Sequence, residues 1–228
     1  MLPRKILGIG AMNEFLIVLD YDGVVADSLE FCLACSREVL QRFDWRRMPE
    51  KKDWEVLEDI TWEGIGRQAG LSERVLPDFK KAAHLQLEEA VGEVPVFPGM
   101  HTAVRELSSL ASLAVVTANT AAVVKRVLAR ENIDDCIDLV RGADTPGSKS
   151  EKILRAMRKT GADKESTVMV GDTVSDIRQA RAAGVGMVAV TWGWHRRVIL
   201  EKELPDFFVD SPKELAAHFS YRFRPGDQ

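Results

Sequence analysis

Cysteine is scarce in this sequence, with only three in 228 residues. So low and odd a number argues against the disulfide framework that small secreted domains use in place of a large core. Cys32 and Cys35 form a C-x-x-C pair, but no second pair of Cys or His residues completes a zinc site. The surrounding stretch has a helical pattern, so we expect both thiols on one buried helix face.

Long apolar runs are also lacking. No stretch approaches the length that a membrane-spanning helix needs. The first fifteen residues have neither the long apolar segment nor the small-residue cleavage site of a signal peptide. We therefore expect a cytoplasmic protein that has no membrane partner.

The chain has no excess of charge of one sign, since 31 basic and 35 acidic residues give a net charge of -4. A basic surface for nucleic acid or an anionic membrane is not indicated. A small-molecule partner is the expectation that remains. With 228 residues, the chain fits one large domain or a core with a smaller insertion.

Short apolar runs alternate with helical patterns along most of the chain. Such alternation predicts an α/β fold, a Rossmann-like three-layer core with a mostly parallel sheet. The predicted strands are Phe15–Leu19, Leu113–Val116, Asp138–Val140, Thr167–Val170, Met187–Val190 and Phe207–Val209. The predicted helices around them are Met100–Leu110, Thr120–Glu131, Ser150–Lys159, Ser175–Ala183 and one from Ser211-Pro212 through Phe219.

One segment breaks this alternation, because residues 29–96 contain helical patterns and no convincing buried strand. The helices are predicted at Leu29–Phe43, Trp54–Ala69 and Leu76–Val91. We therefore divide the chain into an α/β core, residues 1–28 and 97–228, and a small all-α domain of residues 29–96. Residues 1–13 form a possible flexible extension. The insertion follows the first strand directly, so the two parts should face each other across a cleft.

Polar side chains follow three of the predicted strands. Ligands of open α/β sheets bind beyond the carboxyl ends of the strands, so these side chains should meet at one edge. They are Asp20 and Asp22 after the first strand, Thr117 and Asn119 after the second, and Asp172 and Asp176 after the fourth, with Lys149 in the loop after the third.

These residue types fit phosphoryl transfer assisted by a metal ion. Clustered carboxylates repel one another unless a cation neutralises them, and sites rich in oxygen suit Mg²⁺. A carboxylate such as Asp20 can attack phosphorus covalently, and Asp22 can move the protons that both half-reactions require. Lys149 and the Thr117 hydroxyl can hold the phosphoryl oxygens.

The motifs D-x-D-G-V-x-x-D-S (Asp20 to Ser28), Thr117, Lys149 and G-D-x-x-x-D (Gly171 to Asp176) together resemble those of the haloacid dehalogenase-like hydrolase superfamily. Their order and spacing match from about Phe15 to Phe219. Within the superfamily, Val96-Phe97-Pro98-Gly99 and Val190-Thr191-Trp192-Gly193 are most similar to the phosphoglycolate-phosphatase-like group. The helical insertion resembles the α-helical cap of these enzymes.

The resemblance implies a role for each residue. Asp20 is the nucleophile and a metal ligand, and Asp22 is the general acid/base whose backbone carbonyl also binds the metal. Thr117 and Lys149 hold the phosphate, and Asp172 is a metal ligand. Asp176 is a further ligand or supports one. The cofactor implied is Mg²⁺.

The sequence departs from the superfamily pattern at two places. Many relatives have Asn directly after the motif Thr, whereas here Ala118 intervenes before Asn119, which is the residue expected to contact the substrate phosphate. The loop Ser148–Lys152 lacks the common K-P-x-P form, so Lys152 is a second candidate for the catalytic lysine. Lys149 is preferred because the helix is expected to start at Ser150.

Other polar and aromatic residues have unremarkable interpretations. His195 is expected in an exposed loop, without a direct catalytic role. Trp54, Trp62 and Arg67 could touch the substrate, but helix packing and a solvated charge are the simpler readings.

The leading hypothesis is a phosphatase for a small phosphorylated metabolite, similar to phosphoglycolate, acting through an aspartyl phosphate on Asp20. The alternatives are a phosphomutase of the same superfamily and, in another class, a phospho-acceptor signalling domain. Asp22 argues against dehalogenation, because a halide leaves without a proton. We expect a monomer or a homodimer.

Overall fold

The computed structural model describes residues 15–57, 60–90 and 94–222. Its centre is a six-stranded sheet in the order β3-β2-β1-β4-β5-β6, with every neighbouring pair parallel. The strands are β1 Leu16–Leu19, β2 Ser112–Val116, β3 Leu139–Arg141, β4 Thr167–Gly171, β5 Gly186–Val190 and β6 Phe207–Val209. The predicted α/β fold with a parallel sheet is confirmed, and each predicted strand is present to within one residue at its ends.

Helices cover both faces of the sheet because both faces of its strands are apolar. Ile17 and Leu19 of β1 pack with one set of helices, and Leu16 and Val18 pack with the other. The first layer contains α5 Met100–Leu110, α6 Ala121–Arg130 and α10 Pro212–Arg222. The second contains α7 Lys149–Thr160 and α8 Val174–Ala183, and α9 Arg197–Leu200 follows β5. The predicted three layers are therefore present.

Within residues 29–57 and 60–90, the chain forms helices that share an apolar cluster, which Trp194 from the loop after β5 also joins. The helices are α1 Leu29–Leu40, α2 Lys51–Trp54, α3 Trp62–Gln68 and α4 Leu76–Ala90. Cys32 and Cys35 are buried free thiols in this cluster, as expected. We call this segment the helical insert. Its treatment as a separate domain, residues 29–96, stays a prediction.

One predicted helix of the insert was wrong. The pattern over Trp54–Ala69 suggested a single helix, but α2 ends at Trp54 and α3 begins at Trp62. Thr61 starts α3, since its side chain accepts a hydrogen bond from the Gly64 amide at 3.1 Å. A capping threonine satisfies one of the free amides of a first helical turn, which the apolar periodicity does not reveal.

The chain segment that enters the insert and the one that leaves it lie side by side and are joined by hydrogen bonds. The Asp27 amide donates to the Pro95 carbonyl at 2.9 Å, and the Phe97 amide donates to the Val25 carbonyl at 3.0 Å. This pairing holds the insert over the carboxyl end of β1. Among the described helices, none combines the length and the apolar character that crossing a membrane requires. The possible extension, residues 1–13, lies outside the described residues.

Candidate active site

Asp20 stands where the buried strand β1 ends. The four residues of β1 are buried, so the first polar side chain after them emerges at the edge of the sheet. The chain then turns, because the amides of Val25 and Ala26 both donate to the Tyr21 carbonyl at 2.9 Å. Gly23 occupies this turn at φ +79°, and a Cβ there would lie 2.0 Å from Asp172 Oδ2. Glycine therefore provides both the turn and the space for the second carboxylate.

Lys149 neutralises the carboxylates at this edge of the sheet. Its Nζ lies 3.0 Å from Asp20 Oδ2 and 2.5 Å from Asp176 Oδ1. Burial alone lowers the pKa of Lys149, but the facing Asp176 and Asp20 carboxylates raise the pKa well above its usual value. Lys149 is therefore charged, and it links β1 to the first turn of α8.

Asp176 has a structural partner for each of its oxygens. Asp176 Oδ2 accepts hydrogen bonds from the Thr173 amide at 3.0 Å and from the Thr173 hydroxyl at 2.7 Å, while Oδ1 accepts from Lys149. Thr173 in turn accepts from the Asp176 amide at 3.2 Å, which forms a capping box at the start of α8. Gly171 makes room for this arrangement, since a Cβ there would lie 2.4 Å from Asp176 Cβ.

Asp172 is fully buried, and only one of its carboxylate oxygens has a partner. Oδ2 accepts a hydrogen bond from the Trp194 amide at 2.7 Å, and Oδ1 has none. Gly193 allows the loop after β5 to come this close, because a Cβ there would lie 2.2 Å from Asp172 Cβ. An anionic oxygen buried without a donor is unfavourable unless a cation binds it.

The three carboxylates together have the character of a metal site. One oxygen from each of Asp20, Asp172 and Asp176 lies within 4.8 Å of the others. Burial raises the pKa of Asp20 to about 7, with Lys149 opposing and Asp176 adding to the rise. Burial also raises the pKa of Asp172, and the nearby Asp176 and Asp20 carboxylates raise it further. The carboxylates repel one another, and Asp172 Oδ1 has no hydrogen-bond donor. Both features fit a hard cation that prefers oxygen ligands, such as Mg²⁺.

Asp22 lies beside the polar residues that follow β2. The Asn119 side-chain amide donates to Asp22 Oδ2 at 3.3 Å, and Asp22 Oδ1 is buried without a partner. Burial raises the pKa of Asp22, so the protonated form is more accessible than in water. The Thr117 hydroxyl accepts from the Asn119 amide at 3.0 Å and keeps its own proton to donate. Asn119 thus contacts Asp22 in this structure.

The two candidate lysines have different surroundings. Lys149 contacts Asp20, whereas Lys152 Nζ donates to the Gly142 carbonyl at 2.7 Å. The helix α7 begins at Lys149, one residue earlier than predicted, with Ser148 as its capping residue. Lys149 therefore lies in the first helical turn and points back to β1, and the geometry favours it over Lys152.

His195 was expected in an exposed loop, and this expectation was wrong. The imidazole is completely buried. Its Nδ1 accepts a hydrogen bond from the Val174 amide at 3.0 Å, and its Nε2 lies 2.8 Å from the Leu57 carbonyl. Nε2 must therefore carry the proton and donate it. His195 joins the first turn of α8 to the insert, and nothing in its local sequence signals the distant Leu57 contact.

The insert and the sheet edge enclose a cavity of about 310 Å³. Asp20, Asp22, Thr117, Asn119 and Lys149 line it from the sheet side. Trp54 and Trp62 line it from the insert. Arg67 is instead exposed and pairs with Glu73 at 2.7 Å. Five of the seven predicted site residues line this cavity, and the other two, Asp172 and Asp176, lie close to Asp20.

Comparison with known proteins agrees with this arrangement. Residues 17–190 match the family model described as "Haloacid dehalogenase-like hydrolase". The chain is 26% identical over 200 residues to a phosphoglycolate phosphatase of Synechococcus elongatus, which covers 87% of this chain and 94% of that one. It is 31% identical over 218 residues to "Probable phosphatase IndB" of Dickeya dadantii, covering 89% and 93%. A haloacid dehalogenase-like family hydrolase from Streptococcus pneumoniae has the same fold, with a TM-score of 0.79 at 21% identity over 90% of this chain and 98% of that one.

Proposed function

The chain belongs to the haloacid dehalogenase-like hydrolase family, and from this premise we propose that it is a Mg²⁺-dependent phosphatase acting through an aspartyl phosphate on Asp20. The assignment as a phosphoric monoester hydrolase agrees with the names of relatives that are called phosphatases. The observation that carries the proposal is the Asp20 carboxylate, held 3.0 Å from the Lys149 ammonium in a cavity that also contains Asp22 and Thr117.

In the first half-reaction an Asp20 oxygen attacks phosphorus and forms an O–P bond. The bond from phosphorus to the substrate oxygen breaks, and the departing alkoxide takes a proton from Asp22. Lys149 and the Thr117 hydroxyl compensate the charge on the phosphoryl oxygens as it shifts. Lys149 also stabilises the ionised form of Asp20, which attack requires.

In the second half-reaction Asp22, now a carboxylate, takes a proton from a water molecule as the water attacks phosphorus. The bond between Asp20 and phosphorus breaks, inorganic phosphate leaves, and both carboxyl groups return to their starting states. Burial of Asp22 supports this dual role, because it raises the pKa of the carboxyl group and so favours the protonated form that the first half-reaction requires.

A bound Mg²⁺ would neutralise charge on the phosphoryl group and orient it for in-line attack. Asp20 and Asp172 would hold the ion, together with the backbone carbonyl of Asp22 that the family resemblance implies. Asp176 would act by positioning, since its oxygens already bind Lys149 and Thr173. The unpartnered Asp172 Oδ1 supports this assignment.

The substrate would be a small phosphorylated metabolite, given the cavity of about 310 Å³ beside Asp20. Phosphoglycolate is the reference compound, because several relatives are named phosphoglycolate phosphatases.

The test is turnover of p-nitrophenyl phosphate by the purified protein with Mg²⁺. We expect many turnovers per molecule, and kcat should fall by at least about a thousandfold in Asp20→Asn. A single burst equal to the amount of enzyme would indicate a phospho-acceptor domain instead. An Asp20→Asn variant that keeps a tenth of the wild-type kcat would refute the nucleophile.

A further inference from the structure

The cavity has two ends of different chemistry. The sheet end contains the carboxylates, Thr117, Asn119 and the lysines. The insert end is mainly apolar and aromatic, although Glu63, Lys80 and His84 also line it. Its apolar side chains are Cys32, Trp54, Ile60, Trp62, Ile65 and Leu87, with Trp194 reaching in from the loop after β5. A phosphate bound at Asp20 would therefore direct the organic part of the substrate into an apolar compartment.

Three of the five tryptophans in the chain line this compartment. Trp54 and Trp194 are in contact, with ring centroids 5.4 Å apart and planes at 43°. Trp62 meets His84 edge to face at 6.4 Å. Aromatic walls gain most from a ligand that also carries a ring, because ring pairs add to the free energy of apolar burial.

The compartment also has polar atoms without partners. The indole N–H groups of Trp54 and Trp194 and Nδ1 of His84 are buried, and none has a hydrogen-bond partner in the described structure. An indole nitrogen can only donate, so each tryptophan lacks an acceptor. All three atoms are enclosed by the surrounding protein, so a ligand in the cavity does not reach them.

The insert end provides no positive charge for a carboxylate. Lys80 Nζ lies 2.7 Å from Glu63 Oε1, so this pair has no net charge. Burial, with Lys80 adding to the effect, lowers the pKa of His84, and the imidazole is neutral at pH 7. Among the described residues lining this end, no cation is left unpaired. A carboxylate buried here would lose its hydration without gaining a counter-charge.

We propose that the substrate is a phosphate monoester whose organic part is uncharged and carries a ring that packs against Trp62 and Trp194 in the apolar compartment. This inference rests on the proposed phosphatase function and narrows its substrate class. It separates this chain from a phosphatase for two-carbon carboxylates such as phosphoglycolate.

The experiment compares alkyl phosphates whose leaving groups have similar chemistry, so that differences report on the cavity. The probes are ethyl phosphate, 2-phenylethyl phosphate and phosphoglycolate, each assayed with Mg²⁺ by phosphate release. We expect kcat/KM for 2-phenylethyl phosphate to exceed both others by at least about tenfold, the effect of one well-placed apolar group. Equal values for the three compounds, or a preference for phosphoglycolate, would overturn the proposal.

Two variants test the compartment itself, each with a matched control. Trp62→Ala should lower kcat/KM for 2-phenylethyl phosphate by about tenfold or more beyond any loss for ethyl phosphate. Trp45→Ala, an exposed tryptophan outside the cavity, should change neither. Equal losses for both esters in Trp62→Ala would mean that Trp62 only packs against the insert, and would contradict the proposal.

Glu63→Gln leaves the Lys80 charge unpaired at the insert end, so it should raise kcat/KM for phosphoglycolate above that of the wild type. Glu73→Gln removes the same charge from an ion pair with Arg67 outside the cavity and is the control. No rise in Glu63→Gln, or an equal rise in both variants, would contradict the charge argument.

Binding separates this inference from the proposed function. Titration calorimetry on Asp20→Asn measures the affinity for the same three esters without any chemistry. We expect 2-phenylethyl phosphate to bind at least about tenfold more tightly than phosphoglycolate. A protein with this preference that never turns over p-nitrophenyl phosphate would refute the phosphatase and keep the ligand class. A phosphatase that binds phosphoglycolate as tightly would refute the ligand class alone.

Discussion

His195 provides a quantitative test of how the insert is fixed to the sheet. We consider His195→Phe, which keeps a ring of similar shape and removes both ring nitrogens. The Val174 amide, which belongs to the first turn of α8 and is buried, then loses its acceptor. The Leu57 carbonyl, which is half-buried, loses its donor.

The expected loss follows from these two groups. A buried amide left without a partner costs about 1–3 kcal/mol. The Leu57 carbonyl can partly turn to water, so its contribution is nearer ~1 kcal/mol. We therefore expect His195→Phe to lower the free energy of unfolding by about 2–4 kcal/mol. Urea denaturation at pH 7 measures it, provided that the slope with denaturant stays that of the wild type.

The control is His101→Phe. His101 is also paired, with Glu131 at 2.7 Å, but its side chain is 45% exposed. An exposed ion pair contributes little because water can replace either partner. We therefore expect His101→Phe to lower the free energy of unfolding by less than about 1 kcal/mol. A His195→Phe protein within about 0.5 kcal/mol of the wild type would refute the bridging role inferred from the two hydrogen bonds.

Two further predictions concern the carboxylates. Asp172→Ala should raise the Mg²⁺ concentration for half-maximal p-nitrophenyl phosphate turnover by at least about tenfold, with a smaller change in KM; the same shift in Asp78→Ala, an exposed residue of α4, would contradict a metal role for Asp172. Asp22→Asn should slow phosphoryl transfer from ethyl phosphate roughly 10² to 10⁴ times more than from p-nitrophenyl phosphate, since only the alkoxide needs a proton; equal losses in a rapid-quench assay would show that Asp22 is not the acid.

The sequence predicted the sheet well because buried parallel strands are short apolar runs with a distinct pattern. The same pattern placed Asp20, Thr117 and Asp172 at one edge, since parallel strands end together. The helix start expected at Ser150 made Lys149 the preferred lysine, and the contact of Lys149 with Asp20 agrees with that preference.

What the sequence did not reveal depends on contacts between distant segments. The break between α2 and α3 depends on a capping threonine inside a continuous helical pattern. The burial of His195 depends on Leu57, which lies 138 residues earlier in the chain. The aromatic compartment depends on how the insert lies over the sheet, which brings Trp62 and Trp194 to one cavity. Apolar periodicity predicts each helix separately and contains no information on contacts between segments that are distant in the sequence.

The most direct test of the proposed chemistry is to identify the residue that receives the phosphoryl group. Asp22→Asn should accept phosphate from p-nitrophenyl phosphate and release it slowly, because the base for the second half-reaction is missing. The protein is mixed with substrate and Mg²⁺, quenched in acid after a few milliseconds, digested and analysed by mass spectrometry. We predict stoichiometric phosphorylation of Asp20 that disappears in the Asp20→Asn/Asp22→Asn double variant. Turnover with no phosphorylated peptide, or a phosphoryl group on any other residue, would contradict the account.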